Sequence, residues 1–354
     1  MNLNNRVWIC PKPGVENLIL EDLPVPQLPT PTSVLIKVLA AGLNPVDYKK
    51  LSWPSTKFPS QTGLDGSGLI EEMGSQVDQT IYKKGALVVF HTSLFNKEGS
   101  FASYTIIESK YLCLVPMELF EQKEVEKLAV ELAAMPCAAM TAYQAVFVKL
   151  GLVNNNAYYN VRKINSIVVT AAVGGVGSFC LQYLKNWKEE TGTSSIKIIA
   201  ICSKSNFEQA VSLGATHCID YKNDDISSKV KEFTENQGVD GWIDLVGKES
   251  ANIGLNCLAF EGNLVIVVEN PDFKTDLIFS RALSINNVAL GFVYATNDEE
   301  KKLEIPKMLG KIVEMYAKNK IKVEVRTLKL TEGKNALLEL KDRHVRRKLV
   351  MKME

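Results

Sequence analysis

No cysteine stands in a C-x-x-C pair. The seven, Cys10, Cys113, Cys137, Cys180, Cys202, Cys218 and Cys257, are scattered. An odd, unclustered set gives no disulfide framework and reads as reduced thiols in a reducing compartment. Charge of one sign is lacking too: 41 Lys and Arg face 40 Asp and Glu, a net of +1. Without a large basic block, nucleic acid and anionic membrane are poor candidates for the main partner. The local cluster at 343–348 reads as a solvated helix end or strand start. No apolar run reaches the length of a membrane span, and the first ten residues, MNLNNRVWIC, lack a signal-peptide profile. A cytoplasmic protein is expected, with nuclear entry left open. Internal repeats and low-complexity segments are absent.

What is present is enough apolar residue, 46% of 354, for a sizeable core in each of two domains. The organising stretch is 167–184, IVVTAAVGGVGSFCLQYL. It opens as a β-branched apolar run, which predicts a buried strand. It breaks over 171–177 and resumes with the helical spacing of Phe179, Cys180, Tyr183 and Leu184. Strand, small-residue turn and helix is the arrangement that holds a dinucleotide pyrophosphate, because the backbone can approach closely and a helix start offers free N–H groups. The spacing fits G-x-G-x-x-G with Ala172, Gly174 and Gly177 in the three key positions. Taken alone, the phrase also suits a plain packing turn.

The flanking chain supplies context. Residues 1–32 carry six prolines interleaved with apolar residues, marking strand edges and turns. Strands are predicted at 15–23, 33–41, 67–76, 87–92 and 102–107, giving a largely β domain, a partly open barrel. Helices follow at 124–132 and 138–150, broken at Met135-Pro136. From 167 strands (167–170, 196–202, 218–220, 241–246, 263–268) alternate with helices (to about 190, then 206–213, 226–234, 250–258). This alternation predicts a doubly wound parallel sheet, so the fold class is α/β. Residues 282–293 are read as a sixth strand whose open edge would suit a homodimer. An amphipathic helix at 299–319 and strands at 322–328 and 348–353 close the chain, the strands returning to the first domain. The asparagine-rich loop 151–165 is read as a surface insertion.

Several phrases then occur in a telling order: Gly42-Leu43-Asn44-Pro45-Val46-Asp47-Tyr48, Gly63-Leu64-Asp65-Gly66-Ser67-Gly68, Gly99-Ser100-Phe101-Ala102-Ser103-Tyr104 and the turn 172–177. Across nearly the whole chain they resemble the medium-chain dehydrogenase/reductase superfamily. The phrase 202–207, leading to Leu213-Gly214-Ala215 and Asp220-Tyr221, is similar to its quinone-oxidoreductase-like branch and to fungal trans-acting enoyl reductases. The resemblance implies a discontinuous GroES-like domain (1–130 and 298–354) and an NADP-binding Rossmann domain (131–297). Zinc-dependent relatives have Cys in the first loop and His-Glu in the second. Here Asn44, Leu64 and Asp65 stand there, and Asn and Leu cannot supply thiolate and imidazole. Only one cysteine lies at 95–113, too few for a structural zinc lobe. The expectation is no metal. His91, His217 and His344 are far apart and read as surface or strand-end residues.

The strand 196–202 ends in Ser203-Lys204-Ser205, with no carboxylate to favour a free ribose hydroxyl. Ser203 and Lys204 suit a 2′-phosphate, and the resemblance adds Tyr221, so NADPH is the expected cofactor. Without metal, hydride must reach an already electrophilic carbon, with the protein positioning it and donating a hydrogen bond where charge develops. Asn44, Tyr48 and Lys49 are the candidate catalytic residues. Asp65 is read as holding Lys49 or a backbone N–H. The expected cofactor contacts are Pro45, Thr141, Ala172, Gly174, Gly175, Val176, Gly177, Ser203, Lys204, Asn206, Tyr221, Val246, Gly247, Val268, Phe292 and Lys348. The implied activity is zinc-independent, NADPH-dependent reduction of an enone, quinone or aldehyde. Two alternatives stay open: a trans-acting enoyl reductase on carrier-bound thioesters, and a non-catalytic NADPH-binding regulator. Loops 52–57, 94–97 and 292–296 are expected to form the substrate pocket, whose occupant the sequence does not specify.

Overall fold

The computed structural model describes residues 4–95, 98–119, 123–152, 164–342, 345 and 347–353. Most of the predicted 151–165 insertion, Lys97, Arg343, His344 and Arg346 lie outside the described residues. In chain order the elements are β1 (Asn4–Cys10), β2 (Ile19–Pro24), β3 (Ser33–Gly42), α1 (Pro45–Lys50), β4 (Ser60–Gln61), β5 (Asp65–Met73), β6 (Leu87–His91), β7 (Tyr104–Glu108), β8 (Cys113–Leu114), α2 (Val125–Ala133) and α3 (Pro136–Tyr143). Next come β9 (Ser166–Val169), α4 (Gly175–Thr191), β10 (Lys197–Cys202), α5 (Phe207–Leu213), β11 (His217–Asp220), α6 (Ile226–Phe233), β12 (Val239–Asp244), α7 (Lys248–Cys257), β13 (Leu258–Ile266), α8 (Thr275–Ser280) and β14 (Ser284–Asn287). The chain closes with α9 (Glu299–Ala317), β15 (Val325–Lys329), α10 (Gly333–Lys341) and β16 (Lys348–Lys352). No helix among the described residues is long and apolar enough to cross a membrane.

Two compact units result, Met1–Met140 with Leu290–Glu354, and Thr141–Ala289. These divisions differ from 130/131 and 297/298 for a packing reason. Val130, Ala133 and Ala134 of α2 and its end pack on Ala40 and Val350 of the first unit, and the Ser67 hydroxyl donates to the Ala129 carbonyl at 2.6 Å. At the other division, the Tyr294 hydroxyl donates to the His91 carbonyl at 3.0 Å.

The first unit holds a small sheet, β2-β1-β4, and a larger one, β15-β16-β3-β5-β6-β8, with β7 also on β3. A shared core of Trp8, Val34, Ile36, Phe90, Phe101 and Leu337 fills it. The last strand does return: β16 pairs antiparallel with β3, Val350 opposite Gly42. Register then lines up the ends of three strands. Gly42 stands opposite Asp65, and Asp65 opposite His91.

The second unit is a six-stranded sheet in the order β11-β10-β9-β12-β13-β14. All its pairings are parallel. Its central strands β9, β10 and β12 are buried on both faces, which explains their continuous apolar runs. The chain winds outward from β9 in one direction and restarts beside it at β12, so the turn after β9 sits at the topological switch point, where crevices open in such sheets. The predicted strand at 282–293 is shorter than expected. Only Ser284–Asn287 pairs, and Leu290–Ala295 coils into a 3-10 turn. The Arg281-Ala282 turn and the partly exposed Ser284–Asn287 sequence, SINN, offer too little apolar alternation to extend the strand further.

Candidate functional site

In the second unit, β9 runs into the turn 170–174. Ala171 adopts φ 44°, a left-handed conformation a non-glycine residue rarely takes. Ala172 is fully buried. A Cβ at Gly177 would lie 2.4 Å from the Ala171 carbonyl oxygen, so only glycine lets α4 press onto the end of the strand. The first bond of the α4 ladder is Ser178 N–H to the Gly174 carbonyl, 2.9 Å. The N–H groups of Gly175, Val176 and Gly177 precede it, at a helix start where Gly174 and Gly175 are exposed. A 17-residue helix with that start can take a phosphate on its N–H groups and its positive dipole end. These residues therefore fit a dinucleotide pyrophosphate.

At the end of β10, Ser203 is half-buried and Lys204 exposed. Asn206 orients Ser203, its Nδ2 donating to the hydroxyl at 3.0 Å. Tyr221 is 54% exposed, with Lys222 Nζ 5.9 Å from its ring centre. The sequence reading overlooked Asp220, which register places beside Cys202. Asn223 Nδ2 donates to one of its oxygens at 2.6 Å and the Lys222 N–H to the other at 3.2 Å. The Asn223 bond holds this carboxyl below its usual range. At the end of β12, buried Asp244 accepts the Val246 and Gly247 N–H groups at 3.2 and 2.9 Å and fixes that turn. Thr141 is buried on α3, and Val268 lies half-buried just past β13.

In the first unit, the aligned strand ends build a buried polar cluster around Asp65, which has no exposed surface. Its Oδ1 accepts from His91 Nδ1 at 2.8 Å. Its Oδ2 accepts from Asn44 Nδ2 at 2.9 Å. The Cys137 N–H, at the start of α3, is shared by both oxygens at 3.0 Å. Lys348 Nζ lies 3.9 Å from Oδ2 and donates to the Asn44 amide oxygen. The Asn44 amide is thus oriented, oxygen toward the ammonium and nitrogen toward the carboxylate. A carboxylate only accepts, so His91 Nδ1 carries a proton. Its buried Nε2 has no partner among the described residues.

Asn44 also starts α1, with Pro45 at the first helical position, where a missing N–H costs nothing. The Asn44 N–H donates to Asp47 Oδ2 at 2.7 Å. Asp47 is 1% exposed, and burial pushes its carboxyl from 3.8 up to about 7, with Asp65 adding repulsion and Asn44, Lys348 and Lys50 opposing. Because the folded value exceeds the unfolded one, the folded state holds the extra proton between pH 3.8 and about 7, and its contribution to stability falls as pH rises through that window. Asp47→Asn keeps the acceptor and is expected to flatten this fall, read as urea midpoints across pH 4 to 8.

The structure narrows several expectations in this unit. Of the two partners expected for Asp65, Lys49 is exposed and does not meet it, whereas a backbone N–H, that of Cys137, does. The buried lysine of α1 is Lys50, 7% exposed, its ammonium pushed below its ordinary value by burial. Of the two readings of His91, the strand end holds, at the end of β6, and the residue is buried. Phe292 belongs to the first unit, in the turn Leu290–Ala295, where it meets Trp53 and Phe95. Tyr48 is half-buried on α1. Among the described residues, no three His, Cys, Asp or Glu side chains cluster as metal ligands do.

Comparison with known proteins bears on both parts. Residues 30–117 match the alcohol dehydrogenase GroES-like domain, and residues 175–305 match the family described as zinc-binding dehydrogenase. The chain is 30% identical over 277 residues to a zinc-type alcohol dehydrogenase-like protein of Schizosaccharomyces pombe, covering 72% of each. It is 30% identical over 249 residues to a trans-enoyl reductase of Aspergillus terreus, covering 68% of this chain and 76% of that one. The fold matches the solved Escherichia coli quinone oxidoreductase complexed with NADPH at a TM-score of 0.78, 21% identity and 98% and 99% coverage.

Proposed function

Since this chain belongs to the medium-chain dehydrogenase/reductase superfamily, whose members among its relatives are named oxidoreductases, we propose that it is an NADPH-dependent reductase of activated C=C or C=O bonds that works without a catalytic metal. The observation carrying this reading is the exposed start of α4 at the sheet's switch point, beside a β10 end that presents Ser203 and Lys204. When bound, NADPH supplies a hydride. The α4 N–H groups would hold its pyrophosphate. Ser203, Lys204 and Tyr221 would meet its 2′-phosphate, since Asp220 is already committed to Asn223 and Lys222.

In the other unit, Lys348 Nζ is the proton-bearing atom best held for catalysis. An ammonium has three N–H donors, and Asn44 and Asp65 account for two directions. The third can donate to an acceptor oxygen as negative charge develops on it. Asn44 and Asp65 orient that ammonium, and His91 steadies Asp65. The same donor set disfavours a metal. Asn44 and Leu64 offer neither thiolate nor imidazole, and the Lys348 ammonium faces the carboxylate a dication would need.

The test is NADPH oxidation over a panel of enones, quinones, aldehydes and enoyl thioesters, alongside KM for NADPH and NADH. NADPH is expected to be preferred, and Lys204→Ala to raise its KM about tenfold or more while leaving that for NADH within about twofold, the size expected for one charge-assisted phosphate contact. A preference for NADH would overturn the cofactor assignment. Tight NADPH binding without turnover of any acceptor would leave a binding protein in place of a reductase.

A further inference from the structure

Three aromatic side chains of the first unit form a contiguous exposed group. Phe292 lies between the other two, its ring centre 5.8 Å from Trp53 at 36° and 6.0 Å from Phe95 at 72°. Phe292 is 51% exposed and Phe95 49%, and Trp53 is half-buried. Half-exposed phenyl rings gathered in one place forgo burial that a core would give them, and such patches mark binding sites.

The group is fixed to the elements that carry the Asp65 cluster. Trp53 follows α1, its N–H donating to the Lys50 carbonyl at 3.1 Å. Phe95 follows β6 four residues after His91, its N–H donating to the Ser93 hydroxyl at 3.1 Å. Phe292 stands two residues before Tyr294, whose hydroxyl holds the His91 carbonyl at 3.0 Å. A Cβ at Gly291 would lie 2.5 Å from Leu94 Cδ1, so the two turns bearing Phe292 and Phe95 are pressed together. The rings are therefore held in place before any ligand arrives, which lowers the ordering cost of binding.

Residues 52–56 (SWPST), 92–95 (TSLF) and 290–296 (LGFVYAT) contain no charged side chain. A neutral flat molecule would meet the aromatic faces there.

We infer that Trp53, Phe95 and Phe292 select acceptors whose reducible bond is conjugated to an aryl ring, over linear aliphatic ones. This rests on the reductase reading and narrows its substrate class.

The experiment separates the two. Naphthalene-2-carboxamide, a flat neutral aryl amide, is titrated against the protein while tryptophan emission is followed, with Trp53→Phe assigning the signal. Saturable quenching is expected. Phe292→Ala should weaken it about tenfold or more, as loss of one stacking partner does, and Phe292→Tyr should restore it to within about threefold. In turnover, Phe292→Ala should raise KM for benzylideneacetone about tenfold while that for 3-hepten-2-one moves less than about threefold. No saturable quenching by the unaltered protein, or equal KM changes for the two enones, overturns the inference while leaving reductase activity intact. Quenching without turnover of any acceptor overturns the reductase reading and leaves the aryl site standing.

Discussion

Asp65→Ala is expected to destabilise the first unit by about 3–5 kcal/mol, the cost of leaving a buried charge and its companions without their acceptor. Four donors converge on this carboxylate: His91 Nδ1, Asn44 Nδ2, the Cys137 N–H and, at longer range, the Lys348 ammonium. Lys348 is the costliest to strand, since its side chain is 8% exposed. The amide and imidazole N–H groups would each add a desolvation penalty of roughly 1–3 kcal/mol if nothing replaced their partner. Unfolding followed by urea, with midpoint and slope both recorded, measures the change. Asp65→Asn keeps the shape but turns an NH2 toward at least one donor, so it should recover only part of the loss. A change below about 1 kcal/mol for the alanine variant would mean that the cluster rearranges freely.

Lys348→Met should lower kcat about a hundredfold, the size seen when one donor to developing negative charge is removed. Stability should suffer less than in the Asp65 variant, because His91, Asn44 and the Cys137 N–H still satisfy the carboxylate. Lys348→Arg separates two roles. The guanidinium keeps its charge and donors but does not lose a proton. If Lys348 acts by donating a hydrogen bond to developing charge, the arginine variant regains part of kcat. Loss as deep as in the methionine variant would point instead to proton transfer from Nζ.

The cofactor cradle was legible in the sequence because it is local. The β9 strand, the turn and the start of α4 are contiguous, and Ser203 with Lys204 follows directly from the end of β10. Periodicity, small residues and strand-end chemistry all act within a few residues there, and the alternation of strands and helices sets the winding. The helix at Gly333–Lys341 escaped that reading: its sequence, GKNALLELK, opens on glycine and gave no start signal strong enough to separate it from the flanking strands.

The Asp65 cluster could not be read the same way. Lys348 and Asn44 lie 304 residues apart, and no local pattern joins them. Their meeting depends on β16 returning to pair with β3, and on the register that sets Gly42 against Asp65 and Asp65 against His91. A shift of one residue would turn His91 to the other face of its strand, so a histidine that looks like an ordinary strand end becomes a partner only through pairing. The sequence by itself thus determined the strand–turn–helix that suits a dinucleotide and the residue types that depart from a zinc site. Only the tertiary structure decided which lysine is buried and which carboxylate gathers the donors, because strand register and chain return, not spacing, bring those groups together.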